Sequence, residues 1–349
     1  MSFPGGDLYG RKRVAESPVR KSGAGYGKHG APLSEALVIV VSIFGLIGLG
    51  YLTARTGLLS SAVGERLSDF VFTIAFPCLL FETLATAKFQ DVPPVRIWIA
   101  YFIPFAVVWI VSDLMARRVF GRDKRAGIVA GGSAAYSNAV LIGVPLMQAA
   151  LGDAGTVFLI VIVTVHLPVM MLLSVFLNEW VLANDSQGEV TSRGETLRRL
   201  GWSIATHPIL IGIALGLIFR ATGLSIPRVA SAIIDPLAGS AGPLALVASG
   251  MTLVSCGIAR QILPAIAISV LKLVLLPVLV LLFAHALGLP PIGIAALTLT
   301  AACPTGVNAY LMASHLGTGE ALASNAVLIS TAAGVGTVTL WLTLLQRAL

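Results

Sequence analysis

The sequence predicts an all-α polytopic membrane protein: ten transmembrane helices forming two inverted five-helix repeats, with helices 4 and 9 broken and crossing. Three observations carry this. The first is composition. The chain is 56% hydrophobic and 11% charged, with a mean hydropathy of +0.91, whereas soluble domains are about 25% charged. The second is that the charges are bunched. Leu33–Ala54, Val129–Leu151 and Gly155–Glu179 hold one charge or none apart from their edges, and each exceeds or matches the roughly 20 residues a helix needs to cross a bilayer. Such unbroken runs suit helices rather than the alternating strands of a barrel.

The third observation is internal repetition, sought before any motif is interpreted. Thr56-Gly57-Leu58 returns as Thr222-Gly223-Leu224, and Ala75-x-Pro77-x-x-Leu80 returns as Ala241-x-Pro243-x-x-Leu246, both 166 residues later. Leu146-Met147-x-x-x-Leu151-Gly152 returns 165 residues later as Leu311-Met312-x-x-x-Leu316-Gly317. The three matches agree in spacing and order. Two copies of an odd number of spans must lie in opposite orientations, an architecture found in secondary transporters whose site sits between the repeats.

In chain order, residues 1–32 are rich in Gly, Ser, Lys and Arg without apolar periodicity, and are expected to be a disordered basic tail. A secretory signal is the competing reading, but removing Leu33–Ala54 would destroy the repeat. Apolar runs bounded by charges or Gly/Pro clusters place spans at 33–54, 66–87, 95–117, 126–151 and 155–180, then 203–221, 236–257, 261–287, 290–314 and 321–346. The first repeat is thus 33–180 and the second 201–349, joined by a hydrophilic central loop over 181–200. Loops after odd spans carry most of the arginine and lysine, including Arg117, Arg118, Arg122, Lys124 and Arg125. That bias predicts a cytoplasmic central loop and outward termini in a cell (inner) membrane, although the tail adds six basic residues to the outer side. The net charge of +7 is therefore read as membrane orientation, and no aromatic-plus-basic pattern suggests nucleic acid.

The candidate chemistry lies in spans four and nine. Asn138 stands seven residues before Pro145, and Asn308 four after Pro304, in Tyr136-Ser137-Asn138…Gly143-Val144-Pro145 and Cys303-Pro304-Thr305-Gly306-Val307-Asn308. A proline inside a helix removes a backbone donor and frees a carbonyl one turn earlier, and glycines leave the backbone accessible. Were the two broken helices to cross in mid-membrane, their half-helix N-termini would offer N–H groups and positive dipole ends to an anion. The amides of Asn138 and Asn308 would then orient it. The plainer reading is a pair of kinks whose freed carbonyls the asparagines satisfy; the paired occurrence favours a site.

Lys272, within Leu271-Lys272-Leu273-Val274-Leu275-Leu276-Pro277, is an intramembrane cation, a counter-charge for an anionic cargo or an internal ion-pair partner. Asp113 and Glu82 are candidates for proton or ion coupling, Asp113 with an ion pair to the nearby Arg117-Arg118 as its alternative. His166 and His207 are read as structural, and Cys78, Cys256 and Cys303 as small core residues outside any metal-ligand spacing. Ser133, in Gly131-Gly132-Ser133, lacks the closing glycine of a nucleophile elbow. No P-loop is present, and neither cofactor nor metal is expected.

The Ser-Asn…Gly-x-Pro-Leu…Leu-Gly run of span four, the Cys-Pro…Asn-Ala-Tyr-Leu-Met-Ala…Leu-Gly run of span nine and Leu271-Lys272…Pro277 resemble the auxin efflux carrier family. That family includes plant auxin exporters and bacterial permeases labelled malonate or malate transporters, and the likeness covers roughly Leu33 to Leu349. The resemblance implies an organic-anion permease whose central site is Asn138, Pro145, Pro304 and Asn308. Gly143, Thr305 and Lys272 complete the expected substrate-binding set. It also implies an elevator-like mechanism, with spans 3–5 and 8–10 moving past a scaffold of spans 1, 2, 6 and 7. The short central loop resembles the bacterial members and points away from auxin. Expected partners are the bilayer, a small organic anion, a coupling H+ or Na+ and a second copy in a homodimer. A sodium-coupled bile-acid-type symporter on the same fold is the first alternative. An intramembrane enzyme using Ser133, His166 or His207 is the second.

Overall fold

The computed structural model describes residues 33–86, 92–184, 193–255, 262–306 and 308–348, and among these it is all helix with no strand. The expected tail over residues 1–32 lies outside the described residues. Helix α1 is Leu33–Arg55; α2 (Ser61–Phe70) runs into α3 (Phe76–Thr86); α4 is Pro94–Arg118 and α5 Lys124–Ala135. Helix α6 (Val144–Asn184) is followed by α7 (Arg193–Ala205), α8 (Pro208–Ala221) and α9 (Arg228–Thr252). The chain continues as α10 (Ile262–Val270), α11 (Leu276–Ala286), α12 (Pro291–Ala302), α13 (Asn308–Leu316) and α14 (Glu320–Ala348).

Among the described residues, seven helical stretches are long and apolar enough to cross a membrane, fewer than the ten spans expected. The difference has a local cause. Span four is split at 136–138, and its second half joins span five in α6 across a break at Gly152 (φ 63°). Span nine is split between α12 and α13, and α8 is a short apolar helix. Two further expectations differ: α9 begins at Arg228 rather than 236, and part of the expected central loop is helical, in the end of α6 and in α7.

Proline sets the shape of three helices. The π-helical turns Val71–Ala75, Ala139–Gly143 and Leu271–Leu275 each end two residues before a proline, Pro77, Pro145 and Pro277. A proline lacks the N–H for its i−4 carbonyl and its ring crowds that carbonyl, and a widened turn relieves both without ending the helix. In the third case the Leu273 carbonyl, four residues before Pro277, accepts a hydrogen bond from the Trp341 indole at 2.9 Å instead. Replacing Trp341 with phenylalanine should therefore strand a buried carbonyl. Intramembrane hydrogen bonds contribute about 0.6 kcal/mol on average, so we expect a small but measurable fall in the thermal unfolding midpoint. An unchanged midpoint would show that the π turn does not need this bond.

The repeated sequence motifs adopt repeated shapes. Gly57 and Gly223 both take positive φ (76° and 68°) just after α1 and α8, and Gly152 and Gly317 do so after Leu151 and Leu316 (63° and 62°). Helix α1 packs along α9, and α3 along α8. These contacts are close because glycine permits backbone approach. A Cβ at Gly50 of α1 would run into the Val247 carbonyl of α9, and one at Gly216 of α8 would lie 2.9 Å from the Phe81 carbonyl of α3. Gly50 and Gly216 are 166 residues apart, as are Phe81 and Val247. A second group has α4 against α5, α12 against α6 and α11, and α10 against α14.

Candidate functional site

The two helix breaks meet. Helix α5 ends at Ala135 and helical geometry resumes only at Ala139, while α12 ends at Ala302 and the chain runs non-helically through Cys303-Pro304-Thr305-Gly306. Here the segments pass antiparallel. The Asn138 N–H donates to the Pro304 carbonyl at 2.8 Å, the Gly306 N–H donates to the Tyr136 carbonyl at 3.1 Å, and Ser137 and Thr305 form an isolated antiparallel bridge. In hydrocarbon every backbone polar group needs a protein partner, so each break satisfies the other. Thr305 adds two ties: its N–H donates to Ser330 Oγ of α14 at 3.0 Å, and its Oγ1 donates to the Ser133 carbonyl of α5 at 2.8 Å.

Proline does not mark both breaks equally. Pro304 lies in the second break, whereas the first opens at Tyr136–Asn138 and Pro145 sits in the first turn of α6, against Gly242 of α9. The Asn138 carbonyl accepts from the N–H groups of Ile142 (3.3 Å) and Gly143 (3.0 Å), closing the π turn. Gly143 thereby has its N–H engaged, and a Cβ there would meet only ordinary contacts, the nearest at 3.6 Å. The expectation that glycine leaves the backbone free there does not hold for its donor.

The amides differ as well. The Asn138 side chain is 9% exposed and makes no hydrogen bond among the described residues, so an amide stands inside the protein with its donors and acceptor open. Asn308, first residue of α13, is exposed. Lys272 is fully buried on its π turn; its Nζ donates to Ser137 Oγ at 2.6 Å and to the Ala301 carbonyl at 2.7 Å. The Tyr101 hydroxyl lies 3.1 Å from the same Ser137 Oγ. Lysine and tyrosine from two helices are thus gathered on the serine of the first break, at the crossing.

Other candidates stand apart from these contacts. Asp113 is paired with Arg117 one turn on, as the alternative reading expected. Glu82 is half-buried on α3, which packs chiefly against α8 and α9. His166 is boxed by the rings of Tyr101, Phe102, Phe105 and Tyr136, with centroids 5.5–6.4 Å away. Ser133 Oγ donates to the Val129 carbonyl at 2.8 Å, and His207 precedes α8. Neither histidine hydrogen-bonds Ser133 among the described residues, so the nucleophile–base pair an intramembrane hydrolase needs is not assembled there.

Sequence reasoning missed Ser137, Tyr101 and Trp341. Ser137 carried a signal, because a hydroxyl beside Asn138 in a broken segment is placed to bridge. Tyr101 and Trp341 carried none, since each acts on a group far away in sequence: Ser137 and Leu273.

The chain is similar in sequence to known proteins. The family described as "Membrane transport protein" matches residues 35–342. A protein of Rhizobium meliloti (strain 1021), provisionally named a malonate transporter, is 28% identical over 322 residues, covering 88% of this chain and 95% of the relative. An uncharacterised transporter of Methanothermobacter thermautotrophicus is 26% identical over 305 residues, 86% of this chain and 96% of its own. The lysosomal cholesterol signaling protein of Mus musculus is 24% identical over 240 residues, 66% of this chain but 28% of that protein.

Proposed function

The chain belongs to the membrane transport protein family, and from that premise we propose that it is a secondary transporter moving small organic anions, mono- or dicarboxylates, by elevator-like alternating access. The observation that carries the reading is the open amide of Asn138 beside a crossing of two helix breaks, with the buried Lys272 Nζ bonded to Ser137 of that crossing. Half-helix N-termini begin at Ala139 and Asn308, on the far side of each break, and bring positive dipole ends to the same place. The cargo-contacting set is Asn138, Gly143, Pro145, Pro304, Thr305 and Asn308, with Lys272 supplying positive potential. One relative supports the cargo class: the Rhizobium meliloti protein, 28% identical, carries a provisional name for malonate, a dicarboxylate.

The reading extends to architecture. Glycine turns recurring at the repeat spacing, and glycine-backbone contacts displaced by the same 166 residues, support two inverted halves of five spans. The division of packing into α1–α3 with α8–α9, and α4–α6 with α10–α14, supports a scaffold and a moving unit. We place the termini outside, on the arginine and lysine bias. Asp113 is engaged by Arg117 and Glu82 sits on a scaffold helix, so neither is given a role in holding cargo.

The test is counterflow of labelled malonate into proteoliposomes of the purified protein. Saturable uptake, competed by other short carboxylates but not by their amides, is expected. Transport of the amides alone, or of none of a panel of carboxylates, would overturn the assignment.

A further inference from the structure

We infer that Lys272 is a tethered cation: its ammonium fills the place at the crossing that a coupling sodium ion would occupy, so that cargo moves without an inorganic cation. The inference rests on the transporter reading and concerns how that site is charged.

The oxygens around Nζ are those that hold an alkali cation. The Ala301 carbonyl is one of the last four of α12, without an intrahelical partner and at the negative end of the helix dipole. Ser137 Oγ supplies a second, neutral oxygen from the opposite break, and the two are 2.7 and 2.6 Å from the nitrogen. Carbonyls at unwound segments and half-helix C-termini are the ligands that coordinate sodium in broken-helix transporters. A primary ammonium offers the same charge with directed donors.

The burial of this charge needs an explanation that an ordinary ion pair does not give. Removing an ion from water costs several kcal/mol even after relaxation. Lys272 is fully buried, its Nζ donates to a hydroxyl and a backbone carbonyl, and among the described residues it has no carboxylate partner. What compensates the ammonium is the helix end and the hydroxyl, and both belong to the crossing. The π turn before Pro277 fixes where Lys272 sits on its helix, and Trp341 occupies the carbonyl that the proline leaves free. Because the cation is covalently held, it cannot dissociate on either side of the membrane, and no sodium gradient can be spent through it.

The experiment has a binding arm and a flux arm. In detergent, the thermal midpoint of the wild-type protein should be the same in sodium chloride and in N-methylglucamine chloride at equal ionic strength. Lys272→Ala should be less stable and regain part of its midpoint, saturably, with sodium or methylammonium. In proteoliposomes, wild-type carboxylate flux should agree within about twofold between the two salts; Lys272→Ala should lose at least tenfold and recover in part with either small cation. Lys272→Gln keeps an N–H donor on a side chain one atom shorter, without the charge, and should show the same loss if the alanine variant does not fold. A saturable, sodium-specific stabilisation of the wild type would overturn the inference, as would a charge-free variant that keeps full flux or responds to no small cation. If neither variant folds, the wild-type salt comparison decides alone. Should the wild type carry no carboxylate at all, the transport reading fails while the thermal arm still tests the cation.

Discussion

Asn138→Ala is expected to lower carboxylate flux by about 30-fold or more while leaving the thermal midpoint close to that of the wild type. The two halves of this expectation come from one observation: Asn138 is only 9% exposed, yet its amide bonds nothing among the described residues. Removing it breaks no internal bond, so stability changes little. A hydrogen bond to a charged group contributes about 1.5–3 kcal/mol, and a loss of about 2 kcal/mol is roughly 30-fold in binding at about 1.4 kcal/mol per decade. Asn138→Asp should be more damaging for anions, because it sets a like charge beside the cargo. Asn308→Ala should cost less than Asn138→Ala, since Asn308 is exposed and its bonds with cargo compete with water. Flux and midpoint measured on the same preparations check all three. Full flux in Asn138→Ala would remove this residue from the site.

Gly50→Val and Gly216→Val are expected to produce large losses of stability. At Gly50 the obstacle is the carbonyl of Val247, and at Gly216 it is the backbone of Phe81 2.9 Å away, with Leu84 Cβ at the same distance. Overpacking costs about 1–3 kcal/mol where side chains can yield, and a helix backbone yields less. At roughly 2–4 °C per kcal/mol for a large domain, each variant should melt about 5 °C or more below wild type. Gly45→Ala and Gly48→Ala lie on the same helix α1, where a Cβ meets nothing within 4 Å, and should be neutral or slightly stabilising because alanine favours the helix. If Gly50→Val melted with Gly48→Ala, the close contact of α1 with α9 would not be contributing to stability. The pair bears on the proposed elevator, which requires one rigid group of helices against which the other moves.

Each mutation isolates a different kind of information. The membrane class, the helical fold and the existence of two interrupted segments follow from the sequence alone, because the demands are local and one-dimensional. A hydrocarbon core asks for about 20 apolar residues per span and internal backbone bonding, and the asparagine, glycine and proline near 138–145 and 304–308 interrupt that pattern visibly. The recurring motif Thr56-Gly57 and Thr222-Gly223 was legible too, and both glycines take the left-handed turn.

Pairings over long distances were decided only in three dimensions. Nothing in the residues around Lys272 announces that its ammonium reaches Ser137, 135 positions away, or that the carbonyl freed by Pro277 is taken by Trp341. Nor does the proline spacing show that the first helix opens at Tyr136–Asn138, seven residues before Pro145. A buried polar group must be satisfied, but by any neighbour that packing supplies; sequence imposes the need, and the crossing of the two broken helices determines which groups meet it.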